Sequence, residues 1–427
     1  MVDECLREFG INFDSDIVAS TQDGASIMVC YSNIIKCESQ LCLNHAIHLA
    51  VTKVFYEKKN KASIQHDLDE TYSETSSEDD SENETGFHDD FSYVLEESIK
   101  QTIKKARKIV IFFKQSSVRN GILQKFVKEY RGSKIELKVK KDVDTRWNSI
   151  LSMCKRLVEI EQPIKMALSE LGDNKYDENL FTKLKEIVSC LSPLEEAILE
   201  IGKSDSNLLK ADSAIQYILT TLGKSDHEWS KELLNNLKLE LQNRRNTDLV
   251  SLYKCLHTKS FDFLNNSSHE LGYSSKKDII FTAKRLYYQL FEYSNNSESV
   301  NDELGSAFLS PTEAEEKSSQ CQSKSLSDFV QKEMSSSEQS SSQSNIKDEF
   351  KSMIATKVLT PKLELLYNAL STIQPSSTSC EEAFSVASLF ATKLRNRSGP
   401  ILLNALVFLK YYFLKKDGKQ LKNRKQS

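Results

Sequence analysis

Apolar residues three and four positions apart dominate the chain. Ile103, Ala106, Val110 and Phe113, then Ile122, Phe126 and Tyr130, predict helix from Lys100 to Tyr130. The same period continues through Met153–Leu157–Ile160, Leu184–Ile187–Leu191–Leu194, Ala211–Ile218, Leu233–Leu241 and Ile279–Leu290. Two runs read as strands instead. Asp16–Gln22 is a short buried strand closed by the Asp23-Gly24 turn, and Gln40–Leu43 is a second. The second runs into an amphipathic helix through Ile47, Leu49, Ala50, Val54 and Phe55.

The last block has its own pattern. Leu363, Leu366 and Leu370 form one helical face, broken by Pro375-Ser376-Ser377. Thr378-x-x-Glu381 and Ser379-x-x-Glu382 both fit a capping box opening a helix with Phe384, Val386, Leu389 and Phe390. Ser398 stands where an N-cap belongs, with Pro400 in the first turn of a final helix. That helix, Ile401 to Leu414, is apolar nearly all round and must be buried, either in the chain's own core or shared with a second protomer. Phe384, Phe390, Leu406, Phe408 and Tyr412 are the expected contributors to self-association, because large aromatic and aliphatic side chains dominate interface energies.

Polar composition divides the pattern. Residues 65–92 are acidic and Ser/Thr-rich with little to bury, and are expected to be disordered. Ser335 to Asn345 is Ser/Gln-rich and reads as a flexible linker. The 427 residues leave room for two to three domains. Charge is distributed unevenly. Asp67 to Asp90 holds eleven carboxylates and no cation; removing those eleven from a net charge of −4 leaves +7. Lys100 to Lys141 carries fourteen Lys/Arg against Glu129 and Glu136, a balance of +12, and the tail after Leu414 is again basic. A basic body points toward polyanions such as DNA; solvated helix faces are the alternative. The tail reads as an import signal, a phosphate-contacting arm or an inert end, and Ser76, Ser77 and Ser81 each precede an acid by three residues. Nine cysteines without CxxC pairs suit free thiols in cytosol or nucleus. No secretory leader opens the chain, and no stretch approaches the ~18 apolar residues of a membrane span.

Candidate chemistry sits at few places. Asp23 precedes a glycine and reads locally as a turn-forming residue. Glu381 reads locally as a capping or first-turn acid complementing the helix dipole. Cys42, His45 and His48 do not make a closed tetrahedral zinc set. Trp147, between Arg146 and Asn148, reads locally as a core indole.

Four stretches in order resemble the hAT transposase family. They are Thr21-Gln22-Asp23-Gly24-Ala25-Ser26-Ile27-Met28; Cys42-Leu43-Asn44-His45-Ala46-Ile47-His48-Leu49, similar to its CxxH motif; Asp144-Thr145-Arg146-Trp147-Asn148-Ser149; and Pro375 to Ser385 with Lys393-Leu394-Arg395-Asn396-Arg397 and the apolar helix. The resemblance implies an α/β, helix-dominated fold: a partial ribonuclease-H-like core interrupted by a large all-α insertion. The expected divisions are 1–64 for the partial core, 65–92 for the acidic insertion and 93–308 for the helical insertion. A linker at 309–350, the dimerisation region at 351–414 and a basic tail at 415–427 follow. It also implies Asp23 and Glu381 as two of three carboxylates holding Mg²⁺ or Mn²⁺, and Arg146 and Trp147 as DNA-contacting residues. The strands carrying the first Asp and an N-terminal BED finger are not found, so Asp23 and Glu381 are expected to be vestigial, with no cofactor in this chain. The expectation is a non-catalytic, dimerising, transposase-derived nuclear protein associated with DNA; the alternative is a fragment of an active DNA transposase.

Overall fold

The structure, a computed structural model, describes residues 2–60, 91–132, 136–142, 147–173, 176–266, 269–292, 345–391 and 399–424. In chain order its elements begin with α1 (Val2–Arg7), α2 (Phe13–Asp16), β1 (Ala19–Gln22), α3 (Ser26–Ser32), β2 (Glu38–Leu41) and α4 (Leu43–Phe55). Then come β3 (Tyr56–Asn60), β4 (Phe91–Leu95), α5 (Glu97–Lys114), α6 (Ser117–Arg131), α7 (Trp147–Glu159) and α8 (Glu161–Glu170). The long helices α9 (Glu178–Ile201), α10 (Leu208–Gly223) and α11 (Glu228–Arg244) follow, then α12 (Thr247–Thr258), α13 (Asp262–Asn266) and α14 (Lys276–Tyr287), which continues into a π-helical turn at Tyr288–Glu292. The chain closes with α15 (Ile346–Thr356), α16 (Pro361–Ser371), α17 (Thr378–Phe390) and α18 (Pro400–Arg424).

The protein is mostly helical, and β1 and β2 pair in parallel near the N-terminus. Glu38 N donates to Val18 O at 3.1 Å and Cys42 N to Gln22 O at 2.7 Å, so both bonds share one register. The first strand is shorter than its apolar pattern suggests. Asn12 Oδ1 accepts from Asp14 N and Asp16 Oδ2 accepts from Asn12 N, which turns Phe13–Asp16 into helix and leaves only Ala19–Gln22 extended. A second pair, β3 with β4, is antiparallel, with Tyr56 opposite Leu95 and Asn60 opposite Phe91.

Eight of the described helix starts carry a side-chain cap, which satisfies otherwise orphaned amides. Asp177, Asn207 and Asn246 cap α9, α10 and α12 in this way. Ser116 caps α6 by accepting from Arg119 N, and this breaks the expected continuous helix from Lys100 to Tyr130 at Gln115. The two capping boxes expected at Thr378 and Ser379 do not form. Ser377 holds the N-cap position of α17 without a side-chain cap bond, and its hydroxyl donates instead to Glu381 Oε1 at 2.9 Å. Pro400 does open the final helix. The Ser398 cap, the acidic stretch 67–90 and most of the Ser/Gln-rich linker fall outside the described residues.

By packing, the chain divides into two compact units. One comprises Met1–Ser20, Ser26–Ser39 and Asn246–Ile373; the other comprises Thr21–Ala25, Gln40–Arg245 and Gln374–Ser427. Both are assembled from segments separated in sequence. The core of the first gathers Leu249 and Leu252 of α12, Ile279 and Leu286 of α14, Phe350 of α15 and Leu363 of α16. In the second, α4 lays Ala46, Ile47, Ala50 and Val54 against α11, while α9 packs on α7 and α10.

Candidate functional site

The site grows from the end of β1, within the second unit. Asp23 follows the strand and forms an Asx turn, its Oδ1 accepting from Ala25 N at 2.9 Å. Gly24 completes the turn with φ +88°, a conformation that disfavours any side chain. Arg244, the last residue of α11, reaches into this turn and donates from Nη1 to Asp23 O at 2.7 Å. A Cβ on Gly24 would lie 2.8 Å from that Nη1, the movable end of a flexible side chain, so it is the backbone angle that favours glycine. Arg244 is steadied by Glu240, one turn earlier at 3.5 Å, and Glu240 also binds Lys53 Nζ of α4 at 2.5 Å.

The CxxH motif opens α4, and residues 374–378 are stitched across it. Leu43 N donates to Pro375 O at 3.0 Å, and Ser377 N donates to Cys42 Sγ at 3.3 Å. Thr21 Oγ1 donates to Gln374 O at 2.6 Å, and Asn44 Nδ2 donates to Thr378 Oγ1 at 3.0 Å. Cys42 is fully buried, and its sulfur acts as an acceptor for the start of α17. These bonds fix the first turn of α17 and so bring Glu381, like Asp23, within electrostatic reach of His45.

His45 registers that convergence. Burial lowers its pKa below 6.5, Arg244 and His48 lower it further, and Asp23 and Glu381 act in the opposite direction. The His45 and His48 rings stack with centroids 6.2 Å apart. Trp147, the first residue of α7, donates its indole N–H to His48 Nδ1 at 3.2 Å and is only 2% exposed. With Nδ1 accepting, the proton of a neutral His48 is on Nε2. A base could reach the Trp147 ring only if this packing opened.

Asp23, Cys42, His45, Trp147 and Glu381 are thus gathered in one unit, while Arg146 lies outside the described residues. Arg244 joins them without having been marked by sequence, one of three cations on its helix, and Asn44 enters from within the CxxH stretch. The residues present do not fit the divalent ion that the family resemblance implies. Among the described residues no three His, Cys, Asp or Glu side chains are placed to hold a metal, and Asp23 and Glu381 each bond locally. The bonds of Thr21, Cys42, Leu43, Asn44, Trp147 and Arg244 join segments distant in sequence and hold them in position.

What they position is α17 and, through it, α18. The two helices pack on each other. None of the described residues of α17 is buried, and the same holds for α18 through Phe413. Phe384 is 74% exposed and Phe408 68%; Tyr412 is also exposed, and Phe390 and Leu406 are half-buried. No helix among the described residues is long and apolar enough to cross a membrane.

Residues 91–192 match the family model described as the ZBED1 RNase-like helical domain, a domain of BED-type and hAT transposase-derived proteins. That span runs from β4 into α9. No curated protein matches the chain.

Proposed function

We propose that this is a transposase-derived protein that self-associates through α17 and α18. One observation carries the reading: a two-helix apolar surface that stands exposed among the described residues. Phe384, Leu389, Ile401, Phe408, Tyr412 and Phe413 all stand more than half exposed. Together with Leu402 and Leu409 they offer on the order of 900 Å² of apolar area, the scale of ~800 Å² per partner in stable interfaces. A symmetric pair is the simplest closed arrangement. The reading includes association with DNA in the nucleus, supported by the +12 balance of Lys100 to Lys141 on and around α5 and α6.

Sedimentation of the full chain at micromolar concentration tests the central claim. Oligomer is expected, and Phe408→Asp with Tyr412→Asp should give a folded monomer, since both rings face solvent in the single chain. A folded monomer without any substitution refutes self-association. Retention of duplex DNA that is lost on Lys104→Glu with Lys108→Glu tests the second part. Metal-dependent cleavage of hAT terminal-repeat DNA that disappears on Asp23→Ala would return the chain to the enzymes.

A further inference from the structure

We infer that the outward face of α14 is a binding surface for single-stranded nucleic acid, a role beyond the self-association proposed above. The helix buries Ile279, Thr282, Ala283 and Leu286. At ~100° per residue, Lys277, Phe281, Lys284 and Tyr288 fall within an arc of about 60° on the opposite side. Cation and ring therefore alternate along one solvent-facing stripe. Phe281 is 68% exposed and Tyr288 50%. The neighbouring cations are occupied: Lys276 lies over the Phe261 ring, and Arg285 pairs with Glu38 at 2.5 Å. Lys277 and Lys284 are exposed and make no ion pair among the described residues. The nearest acid of the helix, Asp278, is held at its start by Ser275.

Charge selects a polyanion, and the rings select which one. An acidic peptide would neutralise the lysines yet leave two aromatic faces in water. A duplex hides its bases in its own stack. A single strand presents unstacked bases to the rings and phosphates to the lysines between them. The two rings, seven residues apart, are spaced by about 10.5 Å along the helix, as are the two lysines. One strand lying along α14 meets them in the order lysine, ring, lysine, ring.

The test uses the full chain and a fluorescein-labelled oligothymidine, read by anisotropy over a range of salt concentrations. Phe281→Ala with Tyr288→Ala should weaken binding at least about tenfold. Lys277→Gln with Lys284→Gln should flatten the log–log salt dependence by about 1.4, roughly 0.7 per phosphate. Phe281→Trp should keep binding and place an indole whose emission the oligonucleotide quenches. Either pair binding like the unmodified chain overturns the assignment, as does unquenched emission from the tryptophan variant at saturation. So does a polyglutamate peptide or a duplex of equal length that binds as tightly and displaces the strand.

Discussion

Gly24 tolerates a side chain poorly because its φ is positive. Gly24→Ala would hold an alanine in that conformation, and a loss of about 1–3 kcal/mol is expected in denaturant unfolding. Arg245, the next residue along from Arg244, makes a different case. It pairs with Asp212 at 2.9 Å with both side chains almost fully buried. Asp212→Ala leaves a buried cation without its counter-ion and should cost about 3–5 kcal/mol. The exposed pair Lys351–Asp348 should yield under about 1 kcal/mol on Lys351→Ala in the same assay. His45 adds a pH dependence. Its folded pKa lies below 6.5 chiefly because burial disfavours the cation, so the unfolded chain takes up the proton first as pH falls. The stability that the neutral ring contributes is complete above about pH 6.5 and is lost as the pH drops toward the lowered value. Thermal melts from about pH 7 to 5 should therefore fall less steeply for His45→Asn than for the unmodified chain.

At the level of elements, helices were legible because burial on one face imposes a 3.6-residue period: α4, α7, α9, α10, α11 and α14 all follow it. Boundaries were less legible. The break at Gln115 leaves the apolar spacing on either side undisturbed, and only Ser116 signals it. Ser116→Ala should remove the cap bond to Arg119 N and lower stability by about 1 kcal/mol, measurable by urea titration. The β3–β4 ribbon was hidden for another reason. Its residues Glu57, Lys58, Lys59 and Asn60 carry no apolar alternation, and extended structure there depends on pairing with a segment 31 or more residues away. The candidate site was half readable. Asp23, Cys42, His45 and Glu381 stand in short motifs, whereas Arg244 enters from the end of a helix whose local pattern concerns only its buried face.

Across the whole molecule, packing links segments that sequence keeps far apart. The second unit needs residues after Gln374 to finish the start of α4. Deleting everything beyond Ile373 should expose the Leu43 amide, detectable as faster hydrogen exchange there. The opposite result, protection unchanged, would mean that the Pro375 carbonyl is dispensable. The same stitching has a consequence for how the protein is made. The sulfur of Cys42 waits for the amide of a residue 335 positions later. At a ribosome adding ~5–20 residues per second, that interval is on the order of tens of seconds. Throughout it the emerging chain carries a half-finished helix start and a buried-type cysteine still open to solvent. A nascent chain in that condition should depend on chaperone shelter until Pro375 to Ser377 have left the exit tunnel.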